Sequence, residues 1–262
     1  MKYLIIYLLS ALVLSANAQT KPEGQFKYVL HKANTRGTSE IAWLLSYHTF
    51  SFSDYYDPER MNFGALRVLN DDRIDGGKGF GTHPHNNMEI ITIPLEGTVE
   101  HKDNMKNRGL INAGDVQIMS AGTGITHSEY NYSKSDPLKL LQIWVFPNQQ
   151  NVKPRYQQKN GVLKNQPDNT LVKVVSPTDT NALFLYQNAV FSVGKFKKNH
   201  KVNYPLAFKG NGVYAFIIKG KARINGLDLD VRDGLGIWNT DKISIEASED
   251  LQILLMDVPM ID

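Results

Sequence analysis

His83 and His85 stand two residues apart, and His127 and Glu129 repeat that spacing further along the chain. In an extended strand, residues i and i+2 project from the same face, so each pair presents both of its side chains to one point. Imidazole nitrogen is a borderline metal ligand and carboxylate oxygen a hard one. Three of the first with one of the second suit a single divalent ion, with Fe(II), Mn(II), Ni(II), Cu(II), Co(II) and Zn(II) all compatible and geometry deciding among them. Two coordination positions would stay open for substrate or dioxygen. A lone His-x-His is weak evidence, because two exposed histidines on an edge strand are common; two such pairs bracketed by glycines are stronger evidence. The chain has no cysteine, which excludes thiolate ligation and a disulfide framework alike.

Such a site needs short strands to carry it, and the sequence supplies them. From Phe26 onward, short apolar or alternating runs are separated by glycine, asparagine and aspartate, the pattern of all-β sandwiches and barrels. The clearest runs are Ile90–Leu95, Val116–Met119, Leu138–Phe146, Leu171–Val175, Leu183–Val193, Val213–Lys219, Lys221–Ile224 and Gln252–Val258. No stretch after the first eighteen residues keeps a helical period. Trp144, in the apolar block with Leu140, Ile143 and Val145, is expected in the core rather than against a ligand.

Between Asn148 and Asn169 the composition turns to Asn, Gln, Lys and Pro, and Pro154, Gly161 and Pro167 interrupt any regular element. This predicts a linker over 148–170 between an N-terminal domain, 19–147, and a C-terminal one, 171–262. The two share a pattern, since Ile90 to Glu100 and Tyr214 to Arg223 both run from an apolar strand through a glycine into a short strand. Two copies of one barrel are therefore expected. Aligning Gly97 with Gly220 sets Leu206 and Phe208 against His83 and His85, so the second barrel is expected to lack metal ligands.

Residues 1–18 read as a signal peptide: Lys2, an apolar run from Tyr3 to Val13, and the small-x-small pattern Ala16-Asn17-Ala18, with cleavage after Ala18. The run is shorter than the ~20 residues of a membrane span and no second candidate follows. The mature chain is expected to be exported, periplasmic or secreted, without a membrane span. Removing Lys2 lowers the formal net charge from +3 to +2. The one basic cluster, Lys195, Lys197, Lys198 and Lys201 around Phe196, reads as a solvated hairpin edge, so nucleic acid is not an expected partner.

The segment GFGTHPHNNMEIITIPLEGTVEHKDN resembles the first signature of the pirin family, and GDVQIMSAGTGITHSEYN, followed by LLQIWVFPNQQNVKPRYQQ, resembles the second. Upstream, SYHTFSFSDYYDPERMNFGALRVLNDDRI is similar to the bacterial branch. The C-terminal half is similar in its pattern and in its ending, LLMDVP. The resemblance implies two cupin (jelly-roll) barrels in tandem, with the metal in the N-terminal one. Glycine, five residues and His-x-His, the general cupin pattern, fits Gly77 to His85. The family's fourth ligand corresponds to Glu129, which leaves Glu89, a ligand position in many cupins, as a supporting or structural residue. Asn104 and Lys106 depart from the serine and glycine usual in that turn, which puts the local loop shape in question.

The resemblance further implies a quercetin 2,3-dioxygenase activity, with Fe(II) first among the metals and a phenolic or flavonol substrate with dioxygen as partners; ligand chemistry makes Glu129 the catalytic base, and two barrels that cover each other's faces are expected to form a monomer. Two other readings are another small-molecule cupin enzyme and a non-catalytic metal-dependent regulator, since fold alone does not fix activity. His101, beside Asp103, is read as structural or supporting the ligands. His48 is read as a hydrogen-bonded strand residue near the cavity mouth. Met88, Met105 and Met119 either line the barrel or fill its core.

Overall fold

The computed structural model describes residues 26–261, so the expected leader at 1–18 lies outside the described residues. Twenty-one strands and one short 3₁₀ turn, Ala33–Thr35, follow one another. The first eleven are β1 (Lys27–His31), β2 (Gly37–Ile41), β3 (Leu44–His48), β4 (Leu66–Ile74), β5 (Gly79–His85), β6 (Glu89–Glu96), β7 (Thr98–Asp103), β8 (Arg108–Asn112), β9 (Val116–Ser120), β10 (Ile125–Asn131) and β11 (Leu138–Val145). The remainder are β12 (Arg155–Lys159), β13 (Thr170–Val175), β14 (Val190–Phe196), β15 (Lys201–Pro205), β16 (Asn211–Lys219), β17 (Ala222–Ile224), β18 (Leu227–Leu229), β19 (Gly234–Trp238), β20 (Lys242–Ala247) and β21 (Leu251–Pro259).

In the N-terminal half a seven-stranded sheet, β12-β9-β6-β11-β4-β3-β2, accompanies a four-stranded one, β5-β10-β7-β8. The C-terminal half repeats this with β1-β19-β16-β21-β14-β13 and β15-β20-β17-β18. Apart from β2, which has no counterpart, the orders coincide strand for strand, so the architecture is two cupin barrels in tandem. Gly97 and Gly220 hold equivalent corners, at φ 82° and 78°, where the chain leaves the large sheet for the small one. At Gly220 a Cβ would lie 2.1 Å from the Asp250 carbonyl oxygen, so no larger residue fits that corner.

Each large sheet ends on a strand drawn from outside its barrel. Lys27–His31 pairs with β19 of the C-terminal half, in register Leu30 with Leu235. Arg155–Lys159 lies inside the expected linker yet pairs with β9 of the N-terminal half. Pro154 only delays this strand by one residue; at an edge, composition is a poor guide because one side of the ladder needs no partner. The apolar run at Leu183–Val193 also divides: Leu183 makes a single bridge to Val175, and the strand proper begins at Val190.

The two large sheets pack against each other, burying Leu69, Ile91, Ile143 and Val145 from one side against Phe191, Phe216, Leu254 and Met256 from the other. The C-terminal barrel is then filled by one continuous apolar cluster, including Val213, Ile217, Ile237, Ile245 and Leu255. Leu206 packs against that cluster just beyond β15. The N-terminal barrel differs, since its interior apolar residues fall into two separate groups, Ile74, Val99, Ile111, Leu138 and Leu140 in one, Ile90, Met119, Ala121 and Ile125 in the other. What separates them is a polar band described below.

Asp71 fastens the halves together. Its carboxylate takes Arg36, which lies just after β1, at 3.2 Å and Arg232 of the C-terminal half at 2.9 Å, with the Arg36 side chain nearly sealed from solvent. Removing one partner of such a pair leaves a buried charge uncompensated. Asp71→Ala is expected to lower stability by about 2 kcal/mol, discounted from the ~3–5 of a fully buried pair because Arg232 is partly hydrated, as checked by denaturant unfolding with and without the substitution.

Candidate metal centre and cavity

Antiparallel pairing of β10 with β5 sets His127 directly opposite His83 and Ile125 opposite His85, which places all three imidazoles on one inner face. Ring centroids lie 4.4 Å apart for His83 and His127 and 4.9 Å apart for the other two pairs. One ring nitrogen of each lies within 4.8 Å of the other two. Between His127 and Glu129 the β5 register shifts by one residue, and Gly79 makes room: a Cβ there would sit 2.3 Å from the Glu129 carbonyl oxygen. Such bulges re-aim side chains. In the regular ladder with β7, Glu129 comes opposite His101, and its carboxylate groups with His101 and His127 rather than with His83 and His85, although it lines the same cavity as those two.

Two of the imidazoles, His83 and His127, are fixed by their second nitrogens. His83 Nδ1 donates to the Gly81 carbonyl at 2.7 Å, which leaves Nε2 as the lone pair. For His127 the argument runs through its neighbour. Asp103 accepts from the Met105 and Asn107 amides at 2.9 and 3.0 Å and from the Asn107 side chain at 2.8 Å, so it is an acceptor to His101 Nε2 at 3.4 Å. His101 Nδ1 is then the acceptor for His127 Nδ1, also at 3.4 Å, and His127 Nε2 is left deprotonated, buried and without any hydrogen-bond partner among the described residues. A buried nitrogen so orphaned fits a metal ligand. Burial, then the neighbouring imidazoles, pushes His85 down to about 4 and His127 down to about 3, so both are neutral at physiological pH, the form that binds metal.

The turn that carries Asp103 keeps its shape despite Asn104 and Lys106. Lys106 takes φ 73°, the left-handed conformation a glycine would hold without strain, and its amide bonds to the Asp103 carbonyl.

Glu129 is held by Gln142 Nε2 at 2.7 Å and by the Thr92 hydroxyl at 3.1 Å. Thr92, Gln142, Asn70 and His48 are consecutive cross-strand neighbours on β6, β11, β4 and β3, so a polar row crosses the sheet on its inner face. This row is the band that parts the apolar core. Above it opens a cavity of about 140 Å³ whose walls include Leu44, Phe52, Phe80, Trp144 and the imidazoles of His83 and His85.

Trp144 is a partial correction: half-buried, it packs against the Ile90 and Met119 cluster as expected, yet it also walls the cavity and meets His85 edge-on, ring centroids 4.9 Å apart, with Phe52 behind it at 5.3 Å. Strand alternation explains this, because Leu141, Ile143 and Val145 face the other barrel and leave Trp144 to the inside. His48 lines the cavity while bonding Asn70 and Ser39, both at 2.8 Å, and thus combines both roles considered for it. Glu89 shares the face of Ile91 and Ile93 towards the C-terminal barrel, bonded to Ser120 at 2.8 Å, so its role is structural; burial pushes its carboxyl up to about 7. Met119 is core, with Met88 and Met105 packed against it. The basic hairpin pairs Lys195 and Lys197 with Asp168, and Lys201 with Glu246.

Sequence reading missed Thr92, Gln142, Asn70, Asp72, Ser46 and Tyr156. The first two carry a visible signal, a single polar residue breaking the apolar stretches Ile90–Leu95 and Leu140–Phe146. Tyr156, from the linker strand, covers His101 with ring centroids 4.7 Å apart, and burial raises its phenol above the usual range.

Residues 29–145 match the family model described as Pirin, and residues 173–258 the one described as Quercetinase C-terminal cupin domain. The chain is 46% identical over 233 residues to quercetin 2,3-dioxygenase of Escherichia coli K12, covering 88% of this chain and 98% of the relative. The chain belongs to the pirin family. A pirin-like protein of Caulobacter vibrioides is 39% identical, with 84% of this chain and 95% of that one covered. Among solved structures, the bacterial pirin YhhW of Escherichia coli in complex with nickel(II) superposes with a TM-score of 0.84 at 43% identity, over 90% of this chain and 100% of that one.

In this pirin, His101→Phe removes the acceptor that fixes the His127 tautomer without touching the three gathered imidazoles. It is expected to weaken metal affinity about 10–100-fold, and Asp103→Asn to do the same to a smaller degree, as measured by competition with a chromogenic chelator.

Proposed function

We propose that this pirin is a metal-dependent dioxygenase that opens flavonols such as quercetin with dioxygen. The observation that carries the proposal is three imidazoles gathered around one point, His85 and His127 kept neutral by burial and His83 and His127 each left with a lone pair at Nε2, beside an aromatic-sided cavity that Glu129 also lines. His83, His85 and His127 would hold a divalent ion with Glu129 as the fourth ligand. Fe(II) is the metal we propose, while Mn, Ni, Cu, Co and Zn satisfy the same donors, as the nickel(II) in the Escherichia coli pirin illustrates. When bound, the ion supplies positive charge that lowers the pKa of a coordinated hydroxyl.

The chain's own residues do the rest. Glu129 receives the flavonol hydroxyl proton on one carboxylate oxygen, and Gln142 and Thr92 keep that carboxylate aimed. Leu44, Phe52, Phe80 and Trp144 accept the flat rings and keep water from the electron-rich flavonolate while dioxygen reacts with it. The quercetinase name of relatives covered almost end to end supports this substrate class.

Quercetin loss is expected to match dioxygen uptake and carbon monoxide release one for one, and Glu129→Gln to cut turnover by about 10²–10⁴-fold. Undiminished quercetin loss under argon would refute the proposal.

Export belongs to the same proposal, as does a monomeric state, which the mutual cover of the two large sheets favours. Intact mass and sedimentation of protein purified from its native host are expected to give a 244-residue monomer beginning at Gln19. A chain that keeps Met1–Ala18, or a stable dimer, contradicts this part.

A further inference from the structure

The wall formed by β3 and β4 carries polar groups that the reaction above does not use. Ser46 lies directly opposite Asp72 in the ladder and donates to its Oδ1; His48 lies directly opposite Asn70 and bonds its Oδ1 at 2.8 Å. Ser39 of β2 bonds His48 Nε2 at 2.8 Å. These contacts pin one atom of each carboxyl or amide and leave the other. Asp72 Oδ2 and Asn70 Nδ2 have no hydrogen-bond partner among the described residues, and neither is among the sealed-in orphan atoms of the protein. The two residues are only 5% and 2% exposed, and both line the cavity. Being two apart on β4, they point the same way, so the wall presents one acceptor and one donor side by side.

A hydroxyl group both donates and accepts, so it satisfies that pair with a single oxygen. We propose that Asn70 and Asp72 form a hydroxyl-binding subsite that selects phenolic substrates bearing a second hydroxyl away from the edge held at the imidazoles. The assignment rests on reading the cavity as a flavonol site. Cost sharpens the selection: a substrate without that hydroxyl leaves two buried polar groups facing apolar ring, and a site built around a hydroxyl rejects the analogue lacking it. Burial, with the charges of Asp71 and Glu129 adding to it, pushes the Asp72 carboxyl up to about 7, in keeping with a group that needs a partner.

The subsite is tested by binding. Quercetin and 3-hydroxyflavone share the hydroxyl and carbonyl edge, and only quercetin carries further hydroxyls. Fluorescence titration of the metal-loaded protein gives the ratio of the two Kd values, in which any general damage to the cavity cancels. Wild type is expected to favour quercetin by about tenfold or more, the size of one good buried hydrogen bond. Asp72→Asn presents two donors and Asn70→Asp two acceptors; each is expected to lose most of that ratio. The double exchange, Asn70→Asp with Asp72→Asn, restores one donor and one acceptor and is expected to recover it. A ratio unmoved by the single substitutions, or a double variant no better than the singles, overturns the subsite. Turnover separates the two proposals: preferential binding of quercetin without oxidation sinks the dioxygenase reading alone, while oxidation without preference sinks the subsite alone.

Discussion

A nitrogen lone pair inside an apolar barrel is tolerable only if something else determines where its proton is. That constraint organises the N-terminal half. The Gly81 carbonyl settles His83, and a chain from Asp103 through His101 settles His127. Asp103 is in turn held by backbone amides of the β7–β8 turn. The site is thus anchored not in the histidines themselves but in the conformation of a surface turn, where Lys106 keeps a backbone angle that its side chain disfavours. Thr92 and Gln142 hold Glu129 in place, and the polar row that runs from them to His48 explains why this core is split in two while the other is whole.

The paired histidines and the barrel pattern were legible because two-residue spacing is a property of the strand itself. So was the repeat, since the sharp corners at Gly97 and Gly220 admit few alternatives. Glu129 was read as the fourth ligand and the base, and its side chain lines the cavity; its grouping with His101 was not foreseeable, because which strand lies beside β10 leaves no trace in residue types. The cavity-facing side of Trp144, which packs on the core as read but also meets the site, was missed for a related reason. In a strand buried on both faces most residues are apolar or aromatic, so the sequence scarcely says which face meets the cavity and which meets the other barrel. Gln142, the one polar residue between Leu140 and Phe146, marks the inner face, and with it as reference Trp144 two residues on falls inside.

The halves show how one architecture serves two ends. Where the N-terminal barrel gathers His83, His85 and His127, the C-terminal barrel packs aliphatic side chains and sets Tyr204 to bond a buried Asp257 at 3.0 Å. Its large sheet supplies a rigid backing for the metal-carrying sheet, and Asp71 ties the two at the point where the chain crosses between them.

The exchange of edge strands has a consequence for how the chain is assembled in time. Lys27–His31 emerges early in synthesis, but the strand it pairs with, Gly234–Trp238, emerges near the end. The amino-terminal strand must therefore wait, unpaired, while the catalytic half takes shape, and it can dock only once nearly everything else exists. Closing that last ladder joins the first-made part of the protein to the last-made part, so the finished fold contains no point along the ribbon at which one barrel could be severed and both remain complete.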